Sequence, residues 1–342
     1  MKNSNLLRIL LGVIIAALFV FLAFRGISFA SLWHDALQAN FFILVVTVIV
    51  VLFSHFLRAL RWRVILQEIK QEISVADTWG GIMVGYFMNN FVPRLGEIVR
   101  AYTTGKLEGV KVSSVLGTIV LERLFDMLSA GILFGFALEI YGERIVSTFP
   151  FLRLVGIIMI AGSIVAGTVF YAAATIEKAN KLLKKIIRIV VPKKFAQSFE
   201  KIVESFLSSF SILHSPRSLV WISLYTALIW IVYTFTIYIP LFAFKSTSAL
   251  SFSDSFVLAM ITTMAWMIPS PGALGVYHLF VSQTLIKLFG VVPDEALAYA
   301  TLTHLFGYIA ITIVGAIFAF VFTQRLKIGS IGMLFKTEAE KR

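Results

Sequence analysis

The chain has 342 residues and a net charge of +12, with 30 Lys and Arg against 18 Asp and Glu, yet charged residues make up only 14% of it. A hydrophobic fraction of 59% and a mean hydropathy of +0.91 set it apart from soluble domains, which carry about 25% charge. The lack of any Cys excludes disulfides, thiol nucleophiles and Cys metal sites. The basic residues cluster beside apolar runs, which fits anionic lipid headgroups and the positive-inside rule rather than nucleic acid.

Taken in order, the apolar run Ile9–Phe24 is flanked by Lys2, Arg8 and Arg25. It reads as a retained first helix, because no small-residue cleavage site follows it. A second span covers Phe41–Leu57. The cations after it, Arg58, Arg61, Arg63 and Lys70, place that loop and the N-terminus inside. Two short arms follow, Thr78–Val92 and Arg94–Lys106, too short for comfortable crossings of a ~30 Å core. They meet at Asn89-Asn90-Phe91-Val92-Pro93-Arg94-Leu95-Gly96-Glu97-Ile98-Val99-Arg100. Pro93 removes a backbone donor and biases Val92 away from helix, so the arms read as a re-entrant hairpin with a polar tip. Irregular backbone at membrane depth is tolerated only where protein buries it or it lines a wet cavity. The bland alternative is a short loop outside the membrane.

The next span, Val112–Leu138, carries Glu122, Arg123 and Asp126. Glu122 and Asp126, four apart, share a helical face. They read either as a structural salt bridge between helices or as counter-charges to Arg94 and Arg100, and the two roles are compatible. A short outer loop holds Glu139, Glu143 and Arg144, and Leu152–Ala174 crosses back. The basic segment 175–217 reads as two interfacial amphipathic helices on anionic lipid. Ser218–Phe244 is a further span. The arms Phe256–Ile268 and Val276–Leu288 flank Pro269-Ser270-Pro271-Gly272-Ala273-Leu274-Gly275, a second short hairpin. The last span is about Ala296–Phe322, with Arg325, Lys327 and Lys336 inside.

This gives an all-α polytopic membrane protein with about six full spans and two opposed re-entrant hairpins, or eight spans if both hairpins cross. The halves at about 41–138 and 218–322 run in opposite senses, and Pro93 with Gly96 matches Pro269 with Gly272 in spacing. Inverted repeats with broken helices are the build of secondary transporters, whose site lies between them. Metalloprotease, P-loop, nucleophile-elbow and dinucleotide motifs are all missing, so no catalytic residue, metal or cofactor is expected. His304 reads as a packed helix–helix donor. Gly81 with Gly85, and Gly131 with Gly135, have the spacing that permits close helix contact.

The first-hairpin run, the Glu122-Arg123-x-x-Asp126 group and the second-hairpin loop occur in one order along the chain. Together they resemble the flippase-like transmembrane region of the lysylphosphatidylglycerol synthetase family, over nearly the whole length. This chain has Ala273 where that family's loop usually has a second Gly, and Tyr277-His278 where a Glu often follows. The resemblance covers the membrane region alone, so no lysyl-lipid synthesis is expected. It implies a translocase or handling protein for an anionic or polyprenyl-phosphate-linked lipid, in the cytoplasmic membrane with both termini inside. The site residues it implies are Asn89, Pro93, Arg94, Gly96, Glu97, Arg100, Glu122, Arg123, Asp126, Pro269, Ser270, Pro271, Gly272, Gly275 and His278. Arg94 and Arg100 are suited to bidentate phosphate binding, with Glu97, Glu122 and Asp126 holding them or taking up protons. A non-transporting membrane partner of a glycolipid-synthesising enzyme is the rival reading.

Overall fold

The computed structural model describes residues 14, 16–26, 28–92, 94–191, 193–268 and 270–327. Pro93, Pro192, Pro269 and the two chain ends lie outside the described residues. Every regular element among those described is helical. In chain order they are α1 (Ala16–Phe24), α2 (Phe29–Gln38), α3 (Phe41–Gln67), α4 (Val75–Phe91), α5 (Leu95–Glu108) and α6 (Val112–Thr148). There follow α7 (Phe151–Thr175), α8 (Glu177–Val190), α9 (Lys193–Leu207), α10 (Pro216–Leu241), α11 (Phe252–Ala265), α12 (Val276–Phe289) and α13 (Pro293–Arg325). Short 3₁₀ turns cover Ser208–His214 and Pro271–Ala273.

Local chemistry sets the helix ends. Asn40 caps α3 by accepting from the Phe42 and Ile43 amides at 3.1 and 3.4 Å. Ser74 caps α4, and Ser251 with Asp254 forms a reciprocal capping box on α11. Such caps satisfy amides that have no partner inside the helix. Gly109 and Gly290 close α5 and α12 in the left-handed conformation, while Pro216 and Pro293 open α10 and α13, where a missing N–H costs nothing.

Among the described residues, five helices are long and apolar enough to cross a bilayer: α3, α6, α7, α10 and α13. The pair α1 and α2 qualifies only if taken together, and it bends by 85°. α2 was not anticipated from the sequence; its apolar Phe29, Trp33 and Leu37 are exposed, while Leu32 is buried.

Three expected boundaries need correcting. α3 does not stop at Leu57 but continues for ten residues to Gln67, so Arg58, Arg61 and Arg63 belong to the helix and not to a loop. α6 likewise runs on to Thr148 past Glu139, Glu143 and Arg144, with a kink at Tyr141. In both cases, charge ends an apolar run without ending a helix, because charged residues have good helix propensity. The third correction concerns 175–217. α8 exposes Leu182, Ile186 and Ile189, as a surface helix would, but the end of this segment is docked on protein, with Phe210 and Ile212 fully buried. Ser209 Oγ donates to the Ser114 carbonyl of α6 at 2.7 Å.

The long helices frame the short pairs. α3 packs along α10, α4 folds back on α5, and α13 touches α4, α3 and α12. On the side of the α5–α6 turn, Arg325 of α13 pairs with Asp77 of α4. Glu108 there accepts from Lys70 at 2.8 Å and from the Ser74 amide at 2.8 Å.

Candidate polar site at the two helix breaks

The first break is held by its own residues. The Asn89 side chain accepts from the Gly96 amide at 2.7 Å, bridging the end of α4 to the start of α5. A Cβ on Gly96 would lie 1.9 Å from the Gly85 carbonyl oxygen, so only glycine lets the helices close. Gly81 also sits at this contact, where a Cβ would meet Thr104 Oγ1 at 2.2 Å, whereas Gly135 faces open space. Arg94, the residue before α5, takes the left-handed conformation at φ 66°, strained for a non-glycine residue by about 1–2 kcal/mol. Such outliers cluster at binding sites.

From that break α5 turns Arg100 inward to a buried charge cluster. Arg100 Nη2 donates to Glu122 Oε2 at 2.7 Å, and the guanidinium lies 3.6 Å from the Trp62 ring centre. Glu122 is 1% exposed and is also reached by Arg58 at 2.6 Å and Arg61 at 3.3 Å. The same two arginines bind Asp126 at 3.1 and 2.5 Å. Tyr233 and Thr226 of α10 accept from Arg58 and Arg61 at 3.0 and 3.1 Å. Arg123 donates to Glu97 Oε1 at 3.0 Å and lies 3.9 Å from Asp126 Oδ2.

The charges do not balance. Arg58, Arg61, Arg100 and Arg123 stand against Glu97, Glu122 and Asp126, leaving one positive charge in excess. The Nε atoms of Arg58, Arg61 and Arg100 are buried without a hydrogen-bond partner, as are both ring nitrogens of His55 beside Tyr86 and Oε2 of Glu97. Unpaired buried polar atoms are costly and call for water or a ligand. Excess guanidinium donors suit an anion with several oxygens, such as a phosphate.

The second break lies against the first. Arg94 Nη2 donates to the Met267 carbonyl at 3.1 Å, and Asn90 Nδ2 donates to Thr312 of α13 at 2.9 Å. A Cβ on Gly272 would lie 3.3 Å from Asn90 Oδ1. Gly272 has φ 54° and Ala273 φ 57°, so this alanine occupies a left-handed position that favours glycine. Pro271 and Ser270 are buried, and Ser270 Oγ has no partner. Gly275 is backed by α1, where a Cβ would sit 2.5 Å from the Val20 amide nitrogen. His278 packs 4.9 Å from His304, whose Nε2 donates to the Gly272 carbonyl at 2.8 Å. His304 thus acts as the packed donor expected of it.

The sequence-predicted residues therefore divide into three groups. Glu97, Arg100, Glu122, Arg123 and Asp126 share the charge cluster; Asn89, Arg94 and Gly96 form the first break, and Ser270, Pro271, Gly272, Gly275 and His278 the second. Arg94 is not paired with Glu122, whose partners come from α3 and α5. Among the described residues, no ion pair of the cluster reaches the second break. Sequence reasoning missed Arg58 and Arg61, the main partners of both carboxylates. The three-residue spacing of Arg58 and Arg61, which puts them on one helical face with His55 and Trp62, was the available signal.

The sequence profile of the lysylphosphatidylglycerol synthase transmembrane region matches residues 9–315. Similar curated proteins include a UPF0104 membrane protein of Methanothermobacter thermautotrophicus, 26% identical over 92% of this chain and 94% of that protein. Another is a UPF0104 membrane protein of Pyrococcus horikoshii, 22% identical over 82% of this chain and 87% of its own length. A third is the glycosyltransferase AglD of Haloferax volcanii, 24% identical over 76% of this chain but only 46% of that protein. The match over most of its length and the apolar helices agree: the chain is a multi-pass membrane protein and belongs to the lysylphosphatidylglycerol synthase transmembrane-region family.

Proposed function

We propose that the protein is a lipid translocase or lipid-handling protein whose substrate carries a phosphate, either an anionic phospholipid or a polyprenyl-phosphate-linked lipid. The observation that carries this reading is the buried cluster with one arginine in excess and three unpartnered Nε donors. A charge inside a membrane costs about 2.5–3.5 kcal/mol on insertion scales and is usually functional. In this reading the α4–α5 and α11–α12 pairs are re-entrant hairpins of an inverted repeat. Their lengths of 14 to 17 residues correspond to roughly 21–25 Å of helix, less than a ~30 Å core. Contact between the two tips supports a shared cavity near the midplane, with α8, α9 and both termini on the cytoplasmic side. The chain itself catalyses no covalent step in this account.

A second reading is favoured by one comparison. The glycosyltransferase AglD matches this chain over less than half of its own length, so a region of this kind also occurs joined to other sequence. The protein would then be a membrane partner of a glycolipid-synthesising enzyme. Reconstitution separates the two. Purified protein in liposomes with headgroup-labelled phosphatidylglycerol should move label between leaflets, measured by quenching with a membrane-impermeant reductant. Movement that appears only after a synthase is added would replace translocation with the partner role.

A further inference from the structure

Away from the helix breaks, the structure holds a cavity of about 640 Å³ between the α5–α6 turn and α9. Its walls include Lys70, Lys111 and Lys201, with Ser114, Ser205 and Glu204. We infer that this groove is a second anion site, one that takes the phosphate of a lipid headgroup or of a phosphorylated solute at the face bearing α8 and α9.

The groove is built rather than incidental. A Cβ on Gly117 would lie 2.3 Å from the Phe206 carbonyl oxygen, so glycine lets the α9 end sit directly on α6. Ser114 and Ser205 hydroxyls meet at 2.7 Å across the seam. Lys70 is fixed by Glu108 at 2.8 Å, and the one wall carboxylate, Glu204, is already engaged by Lys184 at 2.6 Å. Among the described residues, Lys111 and Lys201 have no ion-pair partner, so two uncompensated ammonium groups face one cavity. Lys111 is also the residue before α6 and offers no side-chain cap to its first turn, leaving amides and a positive dipole end on the same side.

The test uses the full chain in detergent, titrated calorimetrically with dihexanoyl phosphatidic acid, glycerol 3-phosphate and dihexanoyl phosphatidylcholine. Saturable phosphatidic acid binding that persists in Arg100→Gln, where binding at the charge cluster is weakened, and that falls by about tenfold when Lys111→Gln/Lys201→Gln is added to that variant, is expected. Both lysines are exposed and, among the described residues, outside any ion pair, so the double variant should keep its melting temperature, which is checked alongside. Glycerol 3-phosphate binding as tightly as the lipid would identify a phosphorylated solute; much weaker binding would identify a lipid headgroup. Affinity unchanged when the two lysine substitutions are added to Arg100→Gln, equal affinity for phosphatidylcholine, or no saturable binding of either phosphate would overturn the inference.

Discussion

At the scale of single residues, the buried carboxylate of Glu122 matters more than any one arginine. It receives three guanidinium groups at 2.6 to 3.3 Å while 1% exposed. Removing one partner of a buried pair leaves uncompensated charge and costs about 3–5 kcal/mol. Glu122→Gln should therefore lower the melting temperature in detergent strongly. Arg123→Gln is the contrast, since its side chain is 37% exposed and its Glu97 partner 21%, and half-exposed pairs contribute about 0–1 kcal/mol. Thermal unfolding followed by tryptophan fluorescence checks both; equal losses would mean that the cluster is not the structural centre assigned to it. Arg94 is different in kind: exposed, left-handed and tied only to a carbonyl. Lys keeps the charge and loses the planar fork, so Arg94→Lys should slow lipid movement several-fold with an unchanged melting temperature. Full activity in that variant would remove Arg94 from the site.

At the scale of elements, hydropathy made the helices legible, while the charge cluster was only half legible. The short arms around Gly96 and Gly272 were readable because a proline inside an apolar run, followed three residues later by glycine, interrupts a helix on steric grounds alone. Their helices begin and end within a few residues of the expected limits. The positions of Arg58 and Arg61 were not readable in the same way. Cations after an apolar run usually mark a loop, and only the packing of α3 on α10, α5 and α6 shows that these two are inside. The burial of Phe210 and Ile212 was hidden for a similar reason: an amphipathic face has the same pattern whether lipid or protein covers it. α2 escaped because its amphipathic pattern lasts only ten residues, shorter than the window over which a helical period is read.

At the scale of the whole molecule, five long apolar helices among the described residues, or six spans if the bent pair is one, share one bilayer with two short helix pairs, and the proposed orientation is open to direct test. The chain has no Cys, so single cysteines report position without background. Lys111→Cys and Lys185→Cys should be protected from an impermeant thiol reagent in intact cells and labelled once the membrane is opened. Labelling of position 111 from outside would mean that the α4–α5 pair makes a single broken crossing and is not a re-entrant hairpin, and the inverted repeat would fail.

In the proposed function, the surplus arginine charge holds a lipid phosphate. Native mass spectrometry of the protein extracted from a mixed phosphatidylglycerol and phosphatidylcholine membrane tests it most directly. The measurement is best made in the Lys111→Gln/Lys201→Gln background, where the groove beside α9 cannot contribute. Phosphatidylglycerol should be retained in preference to phosphatidylcholine, and retention should fall about tenfold in Arg100→Gln, which leaves the cluster with equal numbers of arginines and carboxylates. Retention of both lipids in their membrane ratio, or undiminished retention in Arg100→Gln, would contradict it.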